Sequence, residues 1–113
     1  MEKIWSKQYQ QGVPVEIDIN EYKSVIDILE KSFKQYANRD AFTNMGTSIT
    51  YSQLDHYSKK FASFLQNHLG LKKGDKIALM MPNILQYPIA LFGAIRAGMI
   101  VVNVNPLYTP REL

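Results

Sequence analysis

Apolar and polar positions change rhythm several times along the chain, and each change marks an element. Val25, Ile28, Leu29, Ser32, Phe33 and Tyr36 recur at spacings of three and four, which predicts a helix over 24–37. Ser24 followed by Asp27 is its start signature, and Asn38 is expected to stop it in a left-handed turn. Ala41–Asn44 and Ser48–Thr50 are short strands, so 41–50 reads as a hairpin turning at Met45-Gly46-Thr47. Thr50 with Gln53 forms a capping box ahead of a second helix over 51–69. Its stripe of Leu54, Tyr57, Phe61, Phe64, Leu65 and His68 is expected in the core. Gly70 and Leu71 suit a Schellman ending.

The most telling pattern lies at 76–105. Ile77–Met81 and Met99–Val104 are almost unbroken apolar runs, which suit strands covered on both faces, as in parallel sheets. Between them Ile84–Ala97 reads as a helix closed by Gly98, the crossover that two parallel strands require. The fold class is therefore α/β, with one β-α-β unit at its centre. The polar turn Lys72-Lys73-Gly74-Asp75 feeds the first of these strands. Pro88 belongs near the start of the crossover helix. Gly93 inside it costs about 1 kcal/mol relative to alanine, a loss that close contact with the sheet would offset.

Residues 1–22 have no helical period. Val13, Val15, Ile17 and Ile19 alternate with polar residues or proline, which predicts an extended arm or short edge strand, anchored by Trp5 and Tyr9. At the other end, Thr109-Pro110-Arg111-Glu112 opens a helix, with Tyr108 and Leu113 placed as a hydrophobic staple. One helical turn is not stable alone. The second face of the 76–105 sheet also finds little covering sequence. Leaving three to five of its side chains wet would forfeit about 5–10 kcal/mol, which rivals the stability of a whole domain. Residues 23–113 are thus expected to be an incomplete N-terminal subdomain, with the rest of a longer chain as its partner. In isolation, uncovered strand edges should pair with another copy or exchange the N-terminal arm.

Composition narrows the chemistry. With 113 residues, 46% of them hydrophobic and 20% charged, the chain suits one globular body. The net charge of +3 is spread over scattered lysines, the densest being Lys59-Lys60 and Lys72-Lys73-Lys76, and is too dilute for a nucleic-acid surface. There is no cysteine, which excludes disulfides and thiolate metal sites and fits the cytoplasm. No stretch approaches the roughly 20 apolar residues that span a bilayer. The turn Met81-Pro82-Asn83 carries no glycine, and no phosphate-binding G-x-G-x-x-G or Walker sequence occurs. His56 and His68 lack partners at metal spacing. Ser48, Ser52, Ser58 and Ser63 read as caps or helix surface, and Asp55 and Asp75 as a helix-surface and a turn residue. No catalytic, cofactor-binding or metal residue is assigned within 1–113.

Several stretches resemble a known family. Ser48-Ile49-Thr50-Tyr51-Ser52-Gln53-Leu54 looks like the Thr-Tyr-x-x-Leu segment that opens the large domain of adenylate-forming enzymes. Gly70–Leu79 resembles the glycine-aspartate turn into a core strand, and Phe92–Gly98 with Asn103–Pro106 the next landmark. Met80–Pro88 and Asn105–Leu113 are close to bacterial long-chain fatty acyl-CoA synthetases. The resemblance runs from about Trp5 to Leu113. It implies a parent enzyme that joins a long-chain fatty acid to coenzyme A through an acyl-adenylate, using ATP and Mg2+, in lipid metabolism. It places the phosphate loop, the ribose-binding aspartate and the C-terminal lysine beyond residue 113, so the matched positions are scaffold. Two other readings compete. One is a complete small α/β binding or interaction module. The other is a module for the membrane surface, using the lysines and the Trp5 arm. A ligase acting on lipids would also accommodate peripheral contact with the inner face of the membrane.

Overall fold

The computed structural model describes residues 3–113. Helix α1 spans Val25–Gln35 and starts as its sequence requires: Ser24 Oγ accepts the Asp27 amide at 3.1 Å, and the Asp27 carboxylate accepts the Lys23 amide at 3.2 Å. Asn38 does not make the expected left-handed stop, since Met45 is the only non-glycine with positive φ among the described residues. The helix ends instead with the Tyr36 amide still reaching Ser32. Beyond it, the carbonyls of Ala37 and Arg39 accept the amides of Ser52 and Tyr51. Two donors left orphaned at the start of the next helix are thereby satisfied.

Strands β1 (Asp40–Asn44) and β2 (Thr47–Thr50) form the antiparallel hairpin. Its loop is one residue shorter than expected. Met45 (φ 49°) and Gly46 (φ 77°) make the turn, and Thr47 already pairs with Asn44. Two successive positive φ values are the mark of a type I′ turn, whose twist matches that of a hairpin.

Helix α2 (Tyr51–Ser63) opens with both bonds of its capping box, Gln53 amide to Thr50 Oγ1 at 3.2 Å and Thr50 amide to Gln53 Oε1 at 2.9 Å. It then widens into a π-helical turn, Phe64–His68. Gly70 (φ 66°) ends it, and the Leu71 amide reaches the Leu65 carbonyl, one residue wider than an ordinary Schellman bond. The expected stripe is buried in part, with Leu54 and Leu65 inside and Phe61 packed against the core. Leu54, Ser58, Ala62 and Leu65 are buried, whereas Tyr57, Phe64 and His68 are exposed.

The reason lies across the helix–helix seam. Strand β3 (Lys76–Leu79), helix α3 (Gln86–Arg96) and strand β4 (Ile100–Asn103) form the β-α-β unit, the two strands parallel with Lys76 opposite Ile100. Helix α3 presses on α2 so closely that a Cβ on Gly93 would lie 2.8 Å from a Phe61 ring carbon and 2.9 Å from the Ser58 carbonyl. The expected contact of Gly93 with the sheet is therefore replaced by contact with α2. Backbones this close leave room for Ser58 and Ala62 with the Phe61 ring lying against Gly93, while Tyr57 and Phe64 turn outward. Pro88 is the third residue of α3 and buried, where no helical donor is lost.

One core gathers Ala62, Leu65, Ala94, Ala97 and Met99 against Ile77 and Val101. A second joins Leu29 and Phe33 of α1 to Ile49 and Leu54. Only one face of the parallel pair is covered. On the other, Met80, Ile100 and Val102 are 44–50% exposed, the open face foreseen from the shortage of covering sequence.

Two expectations at the ends are corrected. Of the arm over 1–22, Met1 and Glu2 lie outside the described residues. The remainder holds a 3-10 turn at Ile4–Gln8 and no strand. Trp5 and Tyr9 are each more than 40% exposed and do not anchor it. At Thr109, a single turn forms. The Glu112 carboxylate accepts both the amide and the hydroxyl of Thr109, each at 2.8 Å, while Tyr108 and Leu113 stay exposed instead of stapling.

Candidate functional site

In open α/β sheets ligands gather at the carboxyl ends of the parallel strands. A cleft of about 730 Å³ lies there, between the exits of β3 (Leu79 to Asn83) and β4 (Asn103 to Tyr108). Parallel pairing runs one bond past the strands, with the Val104 amide donating to the Leu79 carbonyl. Tyr87, in the first turn of α3, donates its hydroxyl to Asn103 Oδ1 at 2.6 Å. Asn105 Oδ1 accepts the Leu107 amide and shapes the loop after β4. No charged side chain lines this cleft, and its entry turn Met81-Pro82-Asn83 has no glycine cradle. The cleft can hold neutral polar groups against apolar walls. Its side chains do not suit a polyphosphate.

The loop Asn83–Leu85 separates this cleft from an apolar groove of about 420 Å³ between β1 and the start of α3. Asn44 Nδ2 donates to the Asn83 carbonyl at 2.6 Å and ties the hairpin to that loop.

A charged cluster joins the three helices on another side. Arg96 of α3, its side chain 10% exposed, donates through Nη1 to Asp55 Oδ1 at 2.7 Å, to the Asp55 carbonyl at 3.2 Å and to Ser58 Oγ at 2.9 Å. Its guanidinium also sits 5.2 Å from the Phe33 ring centre. Burial pushes the Asp55 carboxyl up, but the hydrogen bonds from Arg96 and Lys59 outweigh it and hold the group below the usual carboxylate range. Asp55 and Ser58 are thus not the surface residues the sequence suggested. The signal was present, since Ser58 stands in register with Leu54, Ala62 and Leu65. The Arg96 contacts tie α3 to α2 and to Phe33 of α1, which is the work of a structural clasp.

The other residues weighed as candidates stay apart. His56 and His68 are exposed, and His68 stacks on Phe64 at 5.0 Å. Ser52 lies in the first turn of α2, Ser48 shares a hydrogen bond with Thr43, and Ser63 accepts from Asn67. The Asp75 carboxylate accepts the Lys72 amide in the turn before β3. Among the described residues no group of three or more His, Asp or Glu gathers to hold a metal.

Against this geometry the relatives are informative. The family described as AMP-binding enzyme matches residues 29–113. The chain belongs to this family. It is 60% identical over all 113 residues to a long-chain-fatty-acid–CoA ligase of Yersinia pestis, and 52% identical to one of Haemophilus influenzae. It spans about a fifth of the length of these curated relatives, 20% in each case. Among solved structures, the anthranilate CoA ligase AuaEII in complex with anthranoyl-AMP superposes with a TM-score of 0.74 at 26% identity, covering 80% of this chain and 17% of that one. The α/β architecture, parallel pair included, is the family's own.

Proposed function

We propose that this chain is a scaffold portion of a ligase that activates long-chain fatty acids as coenzyme A thioesters. The observation that carries the reading is the 60% identity to the Yersinia pestis ligase along the whole chain. In that chemistry the fatty-acid carboxylate attacks the α-phosphorus of ATP and pyrophosphate leaves. The thiol of coenzyme A then attacks the acyl carbon and AMP leaves. ATP, Mg2+ and coenzyme A are the implied companions. The described residues do not fit the metal or the triphosphate, since they offer no carboxylate cluster and the walls of the strand-end cleft are uncharged. The role that fits this chain is positional: the β3–α3–β4 unit fixes the loops Met81–Asn83 and Asn103–Tyr108 against which other parts of a ligase would close.

The test uses the full-length gene product. AMP release is expected to require ATP, coenzyme A and a long-chain acid such as palmitate, and the 113-residue chain alone is expected to release none. Full-length protein inert towards every fatty acid would remove the reading. Turnover by the short chain would remove the scaffold part. The cytoplasm, with peripheral contact at the inner membrane face, is the location that agrees with this substrate. No helix among the described residues is long and apolar enough to cross a membrane, and Ile4, Ile17 and Ile19 are 71–88% exposed.

A further inference from the structure

Arg96 makes its clasp with a single nitrogen. Nη1 donates all three hydrogen bonds to Asp55 and Ser58, and the Phe33 ring covers one face of the guanidinium. Nε and Nη2 have no partner among the described residues, and neither is sealed from solvent. A charged side chain nine-tenths buried ordinarily has its donors engaged. The edge formed by Nε and Nη2 is also the one whose parallel N–H bonds match two oxygens of a carboxylate or phosphate.

That guanidinium lines a cavity of about 210 Å³ between the three helices, together with Glu30, Phe33, Lys34, Asp55 and Lys59. Three cations against two carboxylates leave the wall a net charge of +1. Asp55 is already held by Arg96 and by Lys59 Nζ at 3.0 Å. Lys34 makes no ion pair among the described residues, not even with Glu30 one helical turn before it. The cavity is smaller than the roughly 300–1,000 Å³ of ordinary small-molecule sites, a size that suits a single acidic group.

We propose that this cavity is a binding site for a small oxyanion, a phosphate or carboxylate group. Nε and Nη2 of Arg96 donate to two of its oxygens, and Lys34 supplies the outer positive charge. Glu30 opposes it and sets a limit on the charge the site accepts. No residue lines both this cavity and the strand-end cleft, so the site stands apart from the ligase reading.

The experiment uses the full-length gene product, with inorganic phosphate and acetate as probes, each against chloride at equal ionic strength. Limited acetylation by an N-hydroxysuccinimide ester, read peptide by peptide in a mass spectrometer, reports on Lys34 whatever anion binds elsewhere. With the anion in excess of its dissociation constant, Lys34 labelling is expected to slow severalfold. Lys31, on the same helix but outside the cavity, is expected to keep its rate. Slowing by phosphate alone assigns the site to phosphoryl groups, and slowing by both probes extends it to carboxylates. Glu30→Gln, at an exposed position, is expected to deepen the protection. Arg96→Lys keeps the charge but loses the fork, and is expected to abolish it, with a thermal melt as the check on folding. Lys34 rates equal in all three salts, slowing that Lys31 shares, or protection that Glu30→Gln leaves unchanged would overturn the site.

Discussion

Met45 sits at the hairpin tip with φ 49° and a side chain 98% exposed. Left-handed backbone costs a non-glycine residue roughly 1–2 kcal/mol, and no contact of a fully wet side chain repays it. Asparagine, favoured before glycine in type I′ turns, should relieve part of this. Met45→Asn is expected to raise stability by about 0.5–1 kcal/mol, read as a higher urea midpoint at unchanged slope. Arg96 is the opposite case, a residue whose every contact counts. Asp55→Asn leaves a nearly buried guanidinium without its countercharge and is expected to cost about 2–4 kcal/mol. The pH dependence follows in sign. The Asp55 carboxyl is held below its unfolded value, so its contribution is complete above about pH 4 and is lost as pH falls through the lower folded value. Urea unfolding between pH 6 and 2.5 should show this acid loss in the wild type and a shallower one in Asp55→Asn.

Between elements, the α2–α3 seam is built from absence of bulk. Gly93→Ala would gain about 1 kcal/mol of helix propensity yet place a methyl against backbone at 2.9 Å. Overpacking of this kind costs about 1–3 kcal/mol, so a net loss is expected, measured as a lower thermal midpoint. Loss of the capping box by Thr50→Ala should cost about 1 kcal/mol. The seam also shows what a sequence conceals. Helix positions, both capping residues and the β-α-β order were legible, because periodicity and caps are local signals. The orientation of α2 was not. Hydropathy ranks Tyr57 and Phe64 above Ser58, but the gap between two helices is set by the smallest residues in it, and Gly93 lies 35 positions from Ser58. The strand-end cleft divided in the same way. The missing glycines of its entry turn were visible in the sequence, whereas the Tyr87–Asn103 bond depended on where β4 ends, one residue before its apolar run does.

For the molecule as a whole, the wet sheet face and the arm govern behaviour. Met80, Ile100 and Val102 expose a continuous apolar strip beside unpaired strand edges. The 113-residue chain is expected to self-associate through this region as concentration rises, and Ile100→Lys with Val102→Lys should hold it monomeric in sedimentation equilibrium. Vesicle flotation of the full-length protein tests the exposed arm, where Trp5→Ala with Ile4→Ala is expected to reduce recovery in the lipid fraction. The radius of gyration adds a practical consequence. At 17.6 Å it is what a fully compact globule reaches at roughly 240 residues. A gel-filtration column calibrated with spherical standards would therefore overstate the mass of a single copy. Light scattering or another shape-independent weighing has to decide how many copies travel together.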